Sequence, residues 1–152
     1  MEGTLKAAEV RLLTPADVEA VVAIQGACAE IAQWTAWEYD RVARGEMVGW
    51  VAEEEAKVAG FLVARRVAAD LEILNFAVRP DVRRSGIGAA LLRAALDWGK
   101  AFHAKKAMLE VRASNLAALR FYERFSFQVA GRRPRYYTAP IEDALLLTAP
   151  VN

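Results

Sequence analysis

The spacing of apolar residues changes period along the chain, and each change marks a predicted element. Residues 71–78, LEILNFAV, are apolar on both faces, which is typical of a strand buried within a sheet. Pro80 cannot donate a ladder hydrogen bond, so we expect the strand to end there. Beyond it, apolar residues recur at helical spacing opposite charged ones: Ile87, Leu91, Ala95 and Trp98. The pattern predicts a strand, a short loop and an amphipathic helix.

The residues before this unit predict three further strands and two helices. They are a strand at 10–13, a helix from Thr14 to about Gly26, a second helix ending near Gly45, and strands at 47–53 and 57–67 around a tight turn. Thr14 supplies a capping hydroxyl, and a proline and an acid follow it in the first turn. The strands at 47–53, 57–67 and 71–78 therefore predict a three-stranded antiparallel meander.

The C-terminal residues predict a second group of elements. They are a strand at 107–111, a helix from Asn115 to about Phe125, and strands near 127–132 and 143–148. A helical crossover joins the strand at 71–78 to the strand at 107–111, so these two strands should be parallel. We predict one α+β domain over residues 1–152, with a mixed central sheet, an antiparallel meander plus a parallel pair, and helices on both faces.

Composition and charge exclude several classes of function. The 152 residues carry twenty basic and nineteen acidic side chains, and a net charge of +1 argues against bulk binding to nucleic acid or anionic membrane. Cys28 is the only cysteine and His103 the only histidine, so we expect no disulfide and no metal site. We see neither a signal peptide nor a membrane-spanning run, and we predict a cytoplasmic protein.

The basic loop before the amphipathic helix is a candidate anion site. Its sequence is Arg83-Arg84-Ser85-Gly86-Ile87-Gly88. Unpaired N–H groups at a helix start attract anions, and glycine lets a phosphate approach the main chain. A left-handed turn in a solvated basic loop explains the same residues equally well. The loop is neither a Walker motif nor a dinucleotide fingerprint.

Glu110 is a carboxylate in the middle of an otherwise apolar strand. Alternation places it with Met108 and Arg112, opposite Ala107, Leu109 and Val111. One interpretation is an ion pair with Arg112 or with an arginine of a neighbouring strand. The other is a partly desolvated general base.

The helix after this strand carries two further candidates. Asn115 and Tyr122 lie two turns apart on one face. Asn115 is a good helix cap, and Tyr122 is equally suited to the core. Alternatively, a phenol that points into a cleft can protonate a leaving thiolate.

Residues 33–39, QWTAWEY, are called the aromatic segment below. Two tryptophans and a tyrosine suit either a cap on the core or a substrate rim, and we favour the rim. Cys28, just before this segment, has no identifiable cationic or imidazole partner in the sequence, so we interpret it as structural.

The loop at 83–88 resembles the Gln/Arg-x-x-Gly-x-Gly/Ala signature of GNAT-type N-acetyltransferases, whose loop holds the pyrophosphate of acetyl-coenzyme A. Residues 109–115, 121–123 and 142–145 resemble the RimI-type branch, which acetylates the N-terminal alanine of a small-subunit ribosomal protein. The resemblance begins near Leu71 and extends to the C-terminus, and it implies an acetyltransferase that uses acetyl-coenzyme A and needs no metal.

The resemblance also implies roles for individual residues. Glu110 would be the general base and Tyr122 the general acid. The implied coenzyme A contacts are Phe76, Ala77 and Val78 along the pantetheine, Arg83, Arg84, Ser85, Gly86, Ile87, Gly88 and Ala89 around the pyrophosphate, and Asn115. The implied acceptor is a protein or peptide α-amine. From the residues themselves, rather than from the resemblance, we expect Trp34 and Trp37 to hold the peptide and Glu38 or Asp40 to meet a basic side chain.

Two positions depart from the family pattern. Ser126 stands where the family usually has glycine, so it must adopt a left-handed conformation or end the helix differently. Gln33-Trp34-Thr35 only loosely resembles the family's Pro-Trp-Ser. Two other functions remain as alternatives to an α-amine acetyltransferase. One is an acetyltransferase for lysine side chains or small-molecule amines, and the other is a non-catalytic acyl-coenzyme A sensor.

Overall fold

The computed structural model describes residues 8–45, 47–83 and 86–151. In these residues seven strands form one mixed sheet in the order β1-β2-β3-β4-β5-β7-β6. The strands are β1 Glu9–Leu12, β2 Val48–Glu54, β3 Lys57–Val67, β4 Asp70–Val78, β5 Lys106–Arg112, β6 Gln128–Thr138 and β7 Ile141–Pro150. The helices are α1 Val18–Gly26, α2 Ala36–Ala43, α3 Ile87–Ala101 and α4 Leu116–Glu123. The predicted α+β class and mixed sheet are confirmed.

The chain divides into two compact units. One comprises Met1–Ala64 and Asn75–Ala95, and the other comprises Arg65–Leu74 and Leu96–Asn152.

In the first unit, β2 pairs antiparallel with β1 and with β3. The β2–β3 turn confirms the predicted tight turn, and both of its central residues, Glu55 and Ala56, have positive φ angles of 53° and 63°. Turns with two such residues match the natural twist of a hairpin.

Helix α3 begins directly over the sheet of the first unit. A Cβ built on Gly60 of β3 would lie 3.0 Å from the carbonyl oxygen of Ala77 and 3.1 Å from Leu91. Glycine at this position therefore allows α3 to pack closely on the sheet. Ile87, Leu91 and Ala95 are buried, as the helical pattern predicts.

In the second unit, β5 lies between two different partners. It pairs parallel with β4 through Leu71↔Ala107 and antiparallel with β7 through Leu109↔Leu147. The parallel pair was predicted from the helical crossover between the two strands, and it is confirmed.

The last two strands are longer than predicted. The prediction ended β6 near Arg132 and began β7 at Asp143. In the structure, β6 continues to Thr138 and β7 begins at Ile141. Pro134 and the surrounding arginines are typical of a loop. An edge strand tolerates them because its register shifts between Arg133 and Tyr137.

Helix α4 ends in a left-handed residue. Ser126 has a φ of 69°, its amide donates to the carbonyl oxygen of Glu123, and the amide of Phe127 donates to that of Tyr122. This is the Schellman arrangement, which favours glycine at the left-handed position. The first of the two outcomes predicted for Ser126 is therefore confirmed.

Candidate active site

The strand, loop and helix that a phosphate-binding loop requires are present in the first unit. Strand β4 ends at Val78, a short turn covers Pro80–Val82, and α3 begins at Ile87. Gly86 has a φ of +86°, and a Cβ built there would meet nothing within 4 Å. Gly88 and Ala89 lie in the first turn of α3. Arg84 and Ser85 lie outside the described residues.

Arg83 is turned toward other parts of the protein. Its guanidinium pairs with Glu30 at 3.1 Å and donates to Cys28 Sγ at 3.2 Å and to the carbonyl oxygen of Val78 at 3.3 Å. Its predicted contact with pyrophosphate would require these partners to be exchanged. The sequence pattern missed this link because Cys28 and Glu30 are far from Arg83 along the chain.

Cys28 has a cationic neighbour that the sequence did not reveal. Burial raises the pKa of its thiol, and the charge of Arg83 opposes that shift without overcoming it. The side chain is fully buried. A thiol in this state is not a ready nucleophile, so the structural interpretation of Cys28 is retained.

The main chain of β4 carries the predicted pantetheine contacts. Phe76 and Val78 are half-buried, and Ala77 is buried. The amide of Phe76 donates to its neighbour's side chain, Asn75 Oδ1, at 3.2 Å. Any role of that amide toward a thioester oxygen requires this hydrogen bond to be shared or released.

A buried hydrogen-bond network links β4 to the aromatic segment. Asn75 Nδ2 donates to the hydroxyl of Tyr39 at 2.8 Å and to the carbonyl oxygen of Ala32 at 3.0 Å. Gln25 accepts from the Tyr39 hydroxyl and the Trp34 amide, and its own amide donates to the Trp34 carbonyl oxygen. Tyr39 is fully buried, and this burial raises the pKa of its phenol. The rim role predicted for Tyr39 is wrong.

The two tryptophans of the aromatic segment differ in exposure. Trp37 is 66% exposed, whereas Trp34 is half-buried with its ring 5.4 Å from that of Tyr39. Glu38 caps helix α2 by accepting from the amide and hydroxyl of Thr35, and Asp40 pairs with Arg44. The carboxylates predicted to meet a basic substrate side chain therefore have local partners. Because these contacts are largely exposed, they exchange at small cost.

Glu110 lies on the half-buried face of β5, as alternation predicts. Its side chain is 19% exposed, and Oε2 is fully enclosed. Among the described residues no group donates a hydrogen bond to that oxygen. The nearest cation is the exposed guanidinium of Arg133, with Nε at 3.4 Å, in ion-pair contact without hydrogen-bond geometry.

Arg112 is not the partner of Glu110. It pairs with Glu142 of β7 at 3.3 Å, donates to the carbonyl oxygens of Ala139 and Pro140, and stacks 4.2 Å from the ring centre of Tyr137. The alternative that paired Glu110 with Arg112 is therefore wrong. The actual partner is on β6, which β7 separates from β5.

Tyr137 is a neighbour of this carboxylate that the sequence reasoning missed. Burial raises the pKa of its phenol to about 12, and the negative charge of Glu110 adds to the shift. The adjacent tyrosines at 136 and 137 could have indicated a strand with one partly buried aromatic side chain. However, that stretch was assigned to a loop.

Asn115 and Tyr122 take the positions that their helix predicts. Asn115 caps α4 by accepting from the amide of Ala118 at 3.2 Å. Tyr122 is buried against the rings of Phe121 and Phe127, and this burial raises the pKa of its phenol. The phenol is therefore protonated at neutral pH, and the raised pKa makes it a weaker proton donor than an exposed tyrosine.

The described residues contain neither a candidate metal site nor a helix that could span a membrane. Within the described residues, no group of three or more His, Cys, Asp and Glu side chains could hold a metal ion. His103 is exposed, just beyond the end of α3. No helix among residues 8–45, 47–83 and 86–151 has the length and apolar character needed to cross a bilayer.

The chain belongs to the acetyltransferase (GNAT) family, whose profile matches residues 18–127. This result confirms the predicted enzyme class, an acetyl-coenzyme A-dependent N-acetyltransferase. The particular relatives define the branch. The chain is 36% identical over 102 residues to the putative ribosomal protein bS18-alanine N-acetyltransferase of Bacillus subtilis, an alignment that covers 67% of this chain and 68% of that protein.

Two further comparisons support the same branch. The ribosomal protein bS18-alanine N-acetyltransferase of Escherichia coli K12 is 37% identical over 101 residues, which cover 65% of this chain and 68% of that protein. The crystal structure of the E. coli ribosomal-protein-S18-alanine N-acetyltransferase matches with a TM-score of 0.85 and 29% identity, covering 96% of this chain and 95% of that one. The predicted RimI-type resemblance is confirmed.

Proposed function

We propose that this enzyme transfers the acetyl group of acetyl-coenzyme A to the N-terminal α-amine of a protein, with an N-terminal alanine of a ribosomal protein as its preferred acceptor. The names of the relatives support this substrate class. A ribosomal acceptor would place the enzyme in the cytoplasm. We also propose that residues 1–152 act as one acetyltransferase domain.

One observation carries the catalytic part of the proposal. A buried carboxylate oxygen without a hydrogen-bond donor is costly, and native structures rarely keep one without a reason. Glu110 Oε2 is such an atom among the described residues. Among the described residues its ion-pair partner is Arg133, whose side chain is 59% exposed and can therefore exchange this contact for water at small cost. An incoming ammonium group would satisfy the oxygen, which is the behaviour expected of a general base.

The first unit has features suited to binding the donor, acetyl-coenzyme A. Helix-start amides and the open space at Gly86 fit a phosphate group, and Arg84 and Ser85 complete the loop. We assign the pyrophosphate to the loop from Arg83 to Ala89 and the pantetheine to the β4 main chain from Phe76 to Val78. Asn115 Oδ1 is used by its helix cap, so any contact from this residue would come through Nδ2.

The proposed reaction is a direct transfer. Glu110 takes a proton from the ammonium group, and the freed lone pair forms a bond to the thioester carbonyl carbon. Main-chain amides near Phe76 stabilise the resulting oxyanion. The carbon–sulfur bond then breaks with its electron pair on sulfur, which takes the proton of Tyr122, and the nitrogen gives its second proton to water. Glu110 then releases its proton to solvent and Tyr122 takes one back, which restores both side chains. Counted from an ammonium acceptor, one proton is released per turnover.

A three-acceptor comparison tests this function. The acceptors are an alanine peptide with a free N-terminus, the same peptide N-blocked and carrying a lysine, and a small primary amine. Release of coenzyme A thiol measures turnover. We expect the free-terminus peptide to have the highest kcat/KM.

Each other outcome has a defined meaning. Faster reaction of the blocked peptide would make the enzyme a lysine acetyltransferase, and reaction of the small amine alone would make it a small-molecule enzyme. Binding of acetyl-coenzyme A without turnover of any acceptor would favour a sensor.

A further inference from the structure

Three buried polar side chains stand where an ordinary core would use apolar ones. Gln25 and Asn75 are 3% and 5% exposed, and Tyr39 is fully buried. Buried amides and hydroxyls cost free energy unless their hydrogen bonds are made. Here their partners include main-chain groups of Trp34 in the aromatic segment and of Ala32 just before it.

The contacts fix a short stretch of main chain at two points. Gln25 clamps both the amide and the carbonyl of Trp34, with distances of 2.8 and 2.6 Å. Asn75 holds the carbonyl oxygen of Ala32 at 3.0 Å. The Tyr39 hydroxyl joins the two clamps because it donates to Gln25 and accepts from Asn75.

The same asparagine contacts the main chain of the donor strand. Asn75 precedes Phe76 on β4, and its Oδ1 accepts from the Phe76 amide. One side chain thus uses its Nδ2 on the aromatic segment and its Oδ1 on the strand assigned to the thioester. Fully satisfied buried networks of this kind favour a single arrangement of the groups they join.

We infer that Asn75 is a positioning residue, which holds the main chain at 32–34 in register with β4 so that the peptide acceptor meets the thioester. The inference rests on the proposed function, because it assigns the aromatic segment to the acceptor and β4 to the donor. Asn75 touches neither substrate in this account. It acts through the main chain of Ala32 and Phe76.

The test is Asn75→Leu, which keeps a side chain branched at Cγ and removes every hydrogen bond that the Asn75 side chain makes. We expect the KM for an N-terminal alanine peptide to rise about tenfold or more, since buried partners are left unsatisfied. The dissociation constant of acetyl-coenzyme A should change by less than about twofold. Hydrogen exchange of amides 31–36 should accelerate.

Two further variants keep the test decisive. Val63→Ala removes packing from a fully buried position outside the network. At a temperature where Val63→Ala is as destabilised as Asn75→Leu, Val63→Ala should leave the peptide KM and the hydrogen exchange of residues 31–36 unchanged. Tyr39→Phe removes one hydroxyl, and it should raise the peptide KM by about three- to tenfold even if Asn75→Leu fails to fold.

The inference and the proposed function fail in different ways. If the wild-type enzyme does not use the peptide, the proposed function is wrong, and exchange at 31–36 still reports on the network. Unchanged exchange in both network variants would overturn the inference. An unchanged peptide KM in an enzyme that does use the peptide, or the same rise in Val63→Ala, would overturn it as well.

Discussion

The side chain with the largest predicted effect on chemistry is Glu110. Glu110→Gln keeps the shape and removes the base, so kcat should fall by about 10²-fold or more, the usual contribution of general base catalysis. The affinity for acetyl-coenzyme A should stay the same. Steady-state kinetics and donor titration measure the two quantities.

Glu72→Gln is the matched control for this substitution. Glu72 is also a strand carboxylate paired with an arginine, since Arg65 lies 2.7 Å away, and it has no proposed role. Its kcat should stay close to that of the wild type. If Glu110→Gln were fully active and only less stable, the ion pair with Arg133 would be the whole function of Glu110.

Much of this residue-level picture could be predicted from the sequence, because a strand's period of two fixes which residues share a face. That rule found Glu110 and its half-buried side of β5. The identity of its cation could not be predicted. Arg133 reaches it from a strand two positions away in the sheet, and no local pattern encodes that pairing.

Among the secondary-structure elements, helix α4 ends in a backbone conformation that should lower the free energy of unfolding measurably. Ser126 occupies a left-handed position at a φ of 69°. Ser126→Gly should raise the free energy of unfolding by about 1 kcal/mol, because glycine has no Cβ to clash there. Urea denaturation measures the change. A decrease would mean that the added flexibility of the unfolded chain outweighs the relieved clash.

The loop before α3 should recognise charge. Arg84→Ala should weaken coenzyme A about tenfold or more while affecting phosphate-free pantetheine much less, and the difference should shrink as salt is added. Calorimetric titration of both ligands measures it. Arg93→Ala, on the exposed side of α3, removes the same charge and should leave both affinities unchanged. Equal losses for both ligands in Arg84→Ala would contradict the assignment of the loop.

The boundaries of helices and strands were predictable where the spacing of apolar residues and a breaking residue such as proline indicated the same position. Pro80 ended β4 and the helical spacing from Ile87 defined α3, since both signals are local. The prediction failed for β6. There the proline and arginines indicate a loop, and only the pairing with β7 makes a strand of them. The buried state of Tyr39 was missed for a similar reason, because its partners Gln25 and Asn75 lie on other elements.

At the scale of the whole molecule, paired carboxylates set the response to acid. The pKa of Asp17 lies below its ordinary value of 3.8, chiefly because Arg11 hydrogen-bonds to it, and those of Asp81, Glu142 and Asp143 are also lowered. A lowered folded-state pKa stabilises the protein above the unfolded value. That stabilisation is lost as the pH falls through the folded value. Stability should therefore decline below about pH 4.

Asp17→Asn isolates one of these contributions. The carboxylate accepts from Arg11 at 2.7 Å and from the Thr14 amide at 2.8 Å. At pH 7 the variant should be less stable by about 1–3 kcal/mol, the range for a lost charged hydrogen bond. At pH 2 to 3 the difference from wild type should narrow. A constant difference across this range in urea unfolding would show that the charge of Asp17 is not what stabilises the fold.

The proposed function depends most directly on which amine receives the acetyl group. An α-amine has an ordinary pKa of about 7.7–8.0, whereas that of lysine is about 10.4, so one carboxylate base is better matched to the α-amine at neutral pH. One peptide with both a free N-terminal alanine and an internal lysine makes the two compete in the same molecule. After partial reaction with acetyl-coenzyme A, tandem mass spectrometry locates the acetyl group. We expect acetylation of the α-nitrogen, with that product lost in Glu110→Gln. Acetylation of the lysine side chain would contradict the proposed specificity for an α-amine.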